Sequence, residues 1–173
     1  MPVEELRARI REVPDFPKPG ILFYDITTLL KDGPSFREAI DLMLEPFLAT
    51  PVDVVVGMES RGFIFSAPMA QRLGVGLVPV RKLGKLPHET LSVEYALEYG
   101  SNTLEIHRDA IAEGQRVLIV DDLLATGGTV RGTVDLVRRL GGEIVGLSFL
   151  VELLFLKGRD RLKEFPVSSV IQY

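Results

Sequence analysis

Two adjacent carboxylates stand at the end of one apolar segment of the chain. Residues 117–120 read Val-Leu-Ile-Val, and Asp121 and Asp122 follow directly. Charge placed behind a buried strand needs a reason, because an unpaired buried charge is costly. Two neighbouring carboxylates can accept hydrogen bonds from two neighbouring hydroxyls. The pair therefore predicts a site for a ligand that carries a vicinal diol.

A glycine and threonine turn follows four residues later and predicts an anion site. Gly127 and Gly128 let the backbone turn tightly and approach a ligand closely. The free N–H groups and the dipole of the helix that starts here favour an anion. The hydroxyls of Thr126 and Thr129 can donate to phosphate oxygens, and Ala125 precedes them. A phosphate and a diol on one small ligand describe a ribose 5-phosphate.

The alternative interpretation of this segment is a capped helix start with the aspartates as turn residues. Two competing phosphate motifs are absent from the sequence: the G-x-x-x-x-G-K-[ST] loop, and G-x-G-x-x-G after a strand.

Composition limits the classes of protein that fit. The chain has 173 residues, a formal net charge of −4 and a pI of about 5.3, whereas general nucleic-acid binders are usually basic. It has no cysteine, so disulfides and thiolate chemistry are excluded. The start lacks a signal-peptide pattern, and no apolar stretch reaches membrane-spanning length. We expect a cytoplasmic protein without a nucleic-acid or membrane partner.

Strands and helices alternate along most of the chain. The pattern predicts an α/β fold with a mostly parallel central sheet flanked by helices. Alternating apolar and polar residues at 91–99 and a return arm at 102–106 indicate a hairpin. The other predicted elements are strands at 52–58, 75–80, 116–120 and 143–151, and helices at 3–13, 62–73 and 129–140. A further helix has Ser35 as its expected N-cap.

Two more segments follow strands and suit an anion. Glu59, Ser60 and Arg61 stand before Gly62 in a small turn, which beside the aspartates favours pyrophosphate binding over an ordinary strand-to-helix connection. Arg81, Lys82 and Lys85 place three cations in five residues, enough to offset much of a diphosphate's charge, although a solvated basic loop is the usual interpretation.

These segments together resemble one family. The residues Val-Asp-Asp-Leu-Leu-Ala-Thr-Gly-Gly-Thr resemble the phosphoribosyl-pyrophosphate motif of type I phosphoribosyltransferases, in the form of the adenine phosphoribosyltransferases. Five other segments resemble that family in the same order, namely residues 15–26, 59–63, 81–87, 97–100 and 150–153. Similarity in sequence order is more specific than any single match.

The resemblance implies an organisation and a reaction. It implies an N-terminal hood over residues 1–33 and a core over 34–173 that includes a flexible β-hairpin lid at about 82–106. The reaction is purine salvage: the 5-phosphoribosyl group of phosphoribosyl pyrophosphate (PRPP) passes to adenine, giving AMP and pyrophosphate. Mg²⁺ would be bound mainly through substrate oxygens rather than by protein ligands alone. The resemblance also implies a homodimer, with the basic loop acting in part across the interface.

It implies residue roles as well. Glu98 in the lid is the candidate acid–base residue, with Asp122 as the alternative and Tyr99 beside it in the lid. Leu22, Phe23 and Tyr24 would contact the base, with Phe23 stacking on it. Many family members carry arginine where this chain has Tyr24. Two alternatives are a hypoxanthine or xanthine phosphoribosyltransferase, and a non-catalytic PRPP sensor; the hood segment argues against the first, and the acidic charge and short length argue against the second.

Overall fold

The protein is described by a computed structural model that covers residues 1–96 and 100–173. Two compact units make up the chain, Met1–Leu42 and Met43–Tyr173. The boundary falls inside a helix, nine residues after the predicted end of the hood.

The first unit contains three helices and a two-stranded sheet. Its elements are α1 (Val3–Arg7), β1 (Arg11–Val13), β2 (Phe23–Asp25), α2 (Thr27–Leu30) and α3 (Gly33–Leu44), the last of which runs on into the second unit. The predicted helix at 3–13 is wrong after Arg7. Residues 11–13 instead pair antiparallel with 23–25, and Arg11 donates to Asp25 from both Nε and Nη2, at 3.0 and 2.6 Å.

The start of α3 also differs from its prediction. The helix begins at Gly33, and the carboxylate of Asp32 accepts hydrogen bonds from the backbone N–H and the hydroxyl of Ser35, at 3.0 and 2.5 Å. Asp32 therefore caps the helix and Ser35 lies inside its first turn. A carboxylate three residues earlier satisfies the same free N–H groups that a serine N-cap would serve.

The second unit is built on one seven-stranded sheet with the order β5-β6-β4-β3-β7-β8-β9. The strands β3, β4, β7, β8 and β9 pair in parallel, while β5 and β6 form an antiparallel hairpin that joins the sheet beside β4. The bounds are β3 (Val54–Met58), β4 (Gly76–Lys82), β5 (Thr90–Ala96), β6 (Ser101–His107), β7 (Arg116–Leu124), β8 (Glu143–Glu152) and β9 (Val167–Gln172). The α/β class, the mostly parallel sheet and the hairpin are confirmed.

Helices cover both faces of this sheet. The two long ones are α4 (Arg61–Leu73), which ends at the left-handed Gly74, and α5 (Gly128–Arg139). Gly57 lies against Ser66 and Phe63 of α4, whereas Val56 belongs to the apolar cluster that α5 joins through Val134. Because side chains alternate along a strand, α4 and α5 pack on opposite faces. Among the described residues, no helix has the length and apolarity to span a membrane.

Candidate functional site

A cleft of about 390 Å³ opens at one edge of the sheet in the second unit. The carboxyl ends of β3, β4 and β7 meet there, which is where ligands bind in open parallel sheets. It is lined by eleven of the predicted site residues: Glu59, Ser60, Arg61, Lys82, Asp121, Asp122, Ala125, Thr126, Gly127, Gly128 and Thr129. The fold therefore brings together three segments that lie far apart in the sequence.

The cleft exists because β7 extends beyond the end of its neighbour β3. The pairing of β3 with β7 ends at Gly57 and Val120, but β7 stays paired with β8 as far as Leu124. The predicted strand at 116–120 is thus four residues longer, and Asp121 and Asp122 lie within it. They occupy the part of β7 whose β3 side is left open to a ligand.

Asp122 is buried and ion-paired. Its side chain is 8% exposed, and its Oδ2 lies 2.6 Å from Nε of Arg61. The cation predicted for pyrophosphate therefore touches a carboxylate predicted for the ribose diol. This contact joins the two segments for which these ligand groups were predicted.

Asp121 has a perturbed acidity. Its Oδ1 accepts the backbone N–H of Asp122 at 2.8 Å, and a Cβ added to Gly62 would stand 2.8 Å from the same oxygen. Desolvation raises the pKa of Asp121 well above 3.8, and the neighbouring charge of Asp122 raises it further. The two carboxyls therefore resist being ionised together, and the missing side chain at Gly62 leaves room for Asp121.

Glu59 organises the basic residues beside it. Its Oε2 accepts the backbone N–H of Lys82 at 2.8 Å and Nε of Arg81 at 3.2 Å. Burial alone would raise the pKa of Glu59, but the hydrogen bonds from Lys82 and Arg81 outweigh it and lower that pKa. These contacts hold the Arg81 side chain and the backbone of Lys82 against the Glu59 carboxylate.

The phosphate turn, residues 125–129, leads into helix α5. Gly127 is left-handed, with φ at +87°, a conformation that glycine adopts without strain. The helix that follows has twelve residues, and the N–H groups of its first turn have no partner within the helix. The turn therefore presents donors and a positive dipole end to the cleft, as an anion requires.

The hairpin contributes residues that sequence reasoning missed. Tyr95 on β5 and Asn102 on β6 line the cleft, and the Thr129 hydroxyl lies 3.4 Å from the Tyr95 hydroxyl. The Tyr95 ring also lies against Gly128, 3.5 Å from the position of an added Cβ. Tyr95 occupies an apolar position of an alternating strand, which indicates core packing, so no sequence signal distinguishes its hydroxyl.

Other predicted residues lie elsewhere. Arg81 and Lys85 do not line the cleft; Arg81 is paired with Glu59, and Lys85 lies in the loop that follows β4. Glu98 and Tyr99 lie outside the described residues.

The predicted base-contacting residues Leu22, Phe23 and Tyr24 belong to the first unit. Phe23 meets the ring of Phe16 edge to face, with centroids 5.2 Å apart. Burial raises the pKa of the Tyr24 hydroxyl, and the charge of Glu12, its pairing partner across the two-stranded sheet, raises it further.

The donor set of the cleft suits a hard cation only in part. Carboxylate oxygens of the kind that Mg²⁺ prefers are present in Asp121 and Asp122. Over residues 1–96 and 100–173, no three acidic, histidine or cysteine side chains lie close enough together to hold a metal ion. Asp121 and Asp122 would be the protein carboxylates available to a divalent ion at this cleft.

Comparison with known proteins identifies a phosphoribosyl transferase domain. Residues 26–170 match the phosphoribosyl transferase domain family. The adenine phosphoribosyltransferase of Acidobacterium capsulatum is 60% identical over 170 residues, which is 98% of this chain and 94% of that protein.

Solved structures agree over the whole length. The adenine phosphoribosyltransferase of Thermoanaerobacter pseudethanolicus has a TM-score of 0.97 and 53% identity, covering 99% of this chain and 100% of that one. That of Saccharomyces cerevisiae, in complex with adenine and an imino-altritol bisphosphate, has a TM-score of 0.92 and 42% identity, covering 97% of each chain.

Proposed function

The chain belongs to the adenine phosphoribosyltransferase family of type I phosphoribosyltransferases, and we propose that it transfers the 5-phosphoribosyl group of PRPP to adenine, giving AMP and pyrophosphate. One observation carries the proposal: a single cleft holds a carboxylate pair, a phosphate turn at a helix start, and two cations. A ribose 5-phosphate with a pyrophosphate at C1 has the complementary groups.

The phosphate turn binds the 5-phosphate. The backbone N–H groups at the start of α5 and the hydroxyls of Thr126 and Thr129 donate to its oxygens. This end of the substrate does not react, so its binding fixes the position of C1 and contributes through orientation.

Asp121 and Asp122 accept hydrogen bonds from the two ribose hydroxyls. Both carboxyls have acceptor oxygens, and the charge of Arg61 beside Asp122 lowers the pKa of Asp121 against the effect of desolvation, which favours its ionised form. Substrate hydroxyls replace part of the solvation that Asp121 lacks. Asp122 is also the alternative to Glu98 for managing the proton on the base.

Arg61 and Lys82 bind the pyrophosphate, with Ser60 beside them. The cations stabilise the charge that grows on pyrophosphate as its bond to C1 breaks and the ribose gains positive charge. Arg81, Lys85 and Glu59 support this half of the site, Glu59 by holding Lys82 and Arg81 in place. No covalent nucleophile is required.

Mg²⁺ is the proposed cofactor. It would neutralise pyrophosphate charge when bound through the substrate's diphosphate and ribose oxygens, with Asp121 and Asp122 contacting it directly or through water.

Leu22, Phe23 and Tyr24 are proposed to contact adenine, with Phe23 stacking on the base and the backbone reading its edge. Glu98 is proposed as the acid–base residue, and Tyr99 as its companion in the lid. All five assignments rest on family resemblance. Backbone recognition would tolerate Tyr24 where many relatives carry arginine.

We propose a homodimer in the cytoplasm. Lys82 at the end of β4 and Lys85 in the loop that follows are exposed, and Lys85 does not line the cleft of its own chain, which is compatible with a role across a dimer interface. A highly charged sugar phosphate does not cross a lipid bilayer unaided, so the enzyme must work in the compartment that holds PRPP.

The test is a turnover assay with competing bases. The purified protein is incubated with Mg²⁺, PRPP, and adenine, hypoxanthine or guanine in turn, and nucleotide formation is measured. We expect AMP from adenine and little product from the other bases. Consumption of hypoxanthine or guanine without AMP formation would reject adenine as the base. PRPP binding without any turnover would favour the sensor.

A further inference from the structure

We propose that Glu152 and Arg159 are positioning residues for the 5-phosphate, and that they act on the phosphate turn through Gly158. The inference rests on the proposed function, because it takes residues 125–129 as the 5-phosphate site. Neither Glu152, Arg159 nor Gly158 lines the cleft. Their effect on a substrate must therefore pass through the backbone of the turn.

Gly158 lies directly behind the phosphate turn. A Cβ added to Gly158 would stand 2.3 Å from the carbonyl oxygen of Ala125 and 3.0 Å from Cδ1 of Leu124. From the other side, a Cβ added to Gly127 would stand 2.8 Å from the carbonyl oxygen of Gly158. The two backbones are thus in contact, with no room for a side chain on either. Gly158 does not have a positive φ, so this contact is what demands a glycine there.

Arg159 fixes the segment that carries Gly158. Its Nε and Nη2 donate to the two carboxylate oxygens of Glu152 at 3.0 and 2.6 Å, and its Nη1 donates to the carbonyl of Val167 at 2.9 Å. The hydroxyl of Ser169 donates to the same carboxylate at 2.5 Å. Planar bidentate pairing of this kind restricts both side chains to one geometry.

Glu152 is in turn anchored next to the turn. It is the last residue of β8, is 2% exposed, and pairs in the sheet with Leu124, the residue before Ala125. The hydrogen bonds from Arg159, followed by that of Ser169, outweigh burial and lower the pKa of Glu152. A closed path of contacts thus joins the end of β7 to Glu152, Arg159, Gly158 and back to the phosphate turn.

The path determines where the turn's N–H groups point. Binding at a preorganised anion site depends on donors that are already in place, and a displacement of about 1 Å can cost as much as a hundredfold in rate. A carboxylate pair that merely stabilised the C-terminal segment would affect unfolding and leave affinity for the sugar phosphate unchanged. Selective loss of 5-phosphate binding separates the two roles.

The experiment compares two variants with two matched controls. Glu152→Gln removes the carboxylate charge, and Gly158→Ala adds a methyl group against Ala125. Asp53→Asn removes a carboxylate that pairs with Arg116 at the opposite end of β7, and Gly76→Ala adds a methyl group with only an ordinary 3.9 Å contact. Unfolding temperatures are measured first. Gly158→Ala leaves the ion pair intact and keeps the test open if Glu152→Gln fails to fold.

Calorimetric titration with ribose 5-phosphate and with pyrophosphate then probes the two halves of the site, and steady-state assays give KM and kcat. We expect affinity for ribose 5-phosphate to fall, and KM for PRPP to rise, by about tenfold to a hundredfold in both variants. Affinity for pyrophosphate and KM for adenine should change less than about threefold, and the controls should match the wild type.

Failure of the positioning role and failure of the proposed phosphoribosyl transfer give different results. If the wild-type protein binds no ribose 5-phosphate and makes no AMP, the proposed function fails. If the wild type is active and both variants bind ribose 5-phosphate normally, the positioning role is wrong. Equal losses for ribose 5-phosphate and pyrophosphate, or the same loss in Asp53→Asn, would show general destabilisation and also overturn it.

Discussion

Asp121 and Asp122 are adjacent in sequence but lie in different environments. Asp122 faces Arg61 at 2.6 Å, whereas the carboxyl of Asp121 lies against Gly62 and is desolvated by the protein around it. Their contributions to ligand binding should therefore differ in pH dependence, although both are proposed to accept from the same diol.

Replacing either aspartate should weaken PRPP binding. Asp122→Asn removes a charged hydrogen-bond acceptor and the partner of Arg61, and a hydrogen bond to a charged group contributes about 1.5–3 kcal/mol. We expect KM for PRPP to rise by about tenfold to a hundredfold, and Asp121→Asn to act in the same direction. Calorimetric titration with PRPP measures the loss of affinity. Asp135→Asn on the outer surface of α5 is the control. Unaltered affinity in both variants would contradict the diol assignment.

The raised pKa of Asp121 makes a second prediction, about stability. Because the folded protein holds this proton more tightly than the unfolded chain, the wild type loses stability as pH rises above 3.8 toward the raised pKa. Asp121→Asn cannot ionise and escapes that loss. The unfolding temperature of the variant should therefore rise relative to that of the wild type as pH increases from about 4 toward the raised pKa of Asp121. A difference that stays constant over this range would refute the assignment.

At the scale of elements, a strand, a turn and a helix form the proposed phosphate half of the site, and the β5–β6 hairpin lies against it. Tyr95 is one of the contacts between them, through the Thr129 hydroxyl at 3.4 Å and through Gly128. The hairpin thus touches residues proposed to bind the 5-phosphate, and Tyr95 links it to the turn.

Tyr95→Phe should weaken this link without disturbing packing. Loss of one neutral hydrogen bond corresponds to about 0.5–1.5 kcal/mol, so we expect KM for PRPP to rise by about twofold to tenfold. The unfolding temperature should stay close to that of the wild type, since the ring remains. Steady-state kinetics at saturating adenine gives the measurement. An unchanged KM would leave Tyr95 a purely structural residue.

Glu98, between β5 and β6, should govern turnover rather than binding. If it manages the proton on the base, Glu98→Ala should lower kcat by about a hundredfold to ten-thousandfold. KM for PRPP should change little, because the phosphate turn and the aspartates remain. Glu94→Ala on the same hairpin provides the control. Unchanged turnover would remove Glu98 from the mechanism and leave Asp122 as the acid–base candidate.

At the scale of the whole molecule, each unit contains an ion pair that lies outside the cleft. In the first unit Asp25 on β2 accepts from Arg11 on β1. In the second unit Asp53, just before β3, accepts from Arg116 at the start of β7. The hydrogen bonds of Thr27, ahead of those of Arg11, lower the pKa of Asp25 to about 2, and those of Arg116 lower the pKa of Asp53. These carboxylates tie stability to pH in the acid range.

The molecule should accordingly lose stability in acid. A carboxylate with a lowered pKa stabilises the folded state above its unfolded pKa, and that contribution is lost as pH falls toward the folded value. We expect the unfolding temperature to drop steadily below about pH 4, and the gap between wild type and Asp53→Asn to narrow over the same range. Thermal unfolding followed by circular dichroism measures both. If the difference in unfolding temperature between the wild type and Asp53→Asn widened on acidification, the lowered pKa of Asp53 would be contradicted.

The local parts of the fold and site could be predicted from the sequence. The strand before Asp121, the turn at residues 125–129 and helix α5 are contiguous. Their chemistry could therefore be predicted from residue types and short spacings. Elements with strong apolar patterns, such as β3 and α4, were predicted to within two residues. The helix at 3–13 was wrong because its second half pairs with residues 23–25, a contact that periodicity does not encode.

The sequence by itself determined which groups could bind a ribose 5-phosphate, because backbone donors, hydroxyls and carboxylates stand within nine residues of each other. Only the tertiary structure decided how those groups are held. The Arg61–Asp122 pair, the Glu59–Lys82 hydrogen bond and the Gly158–Ala125 contact join residues 61, 23 and 33 positions apart. Strand order and the early end of β3 set those contacts, and both depend on how the whole sheet packs.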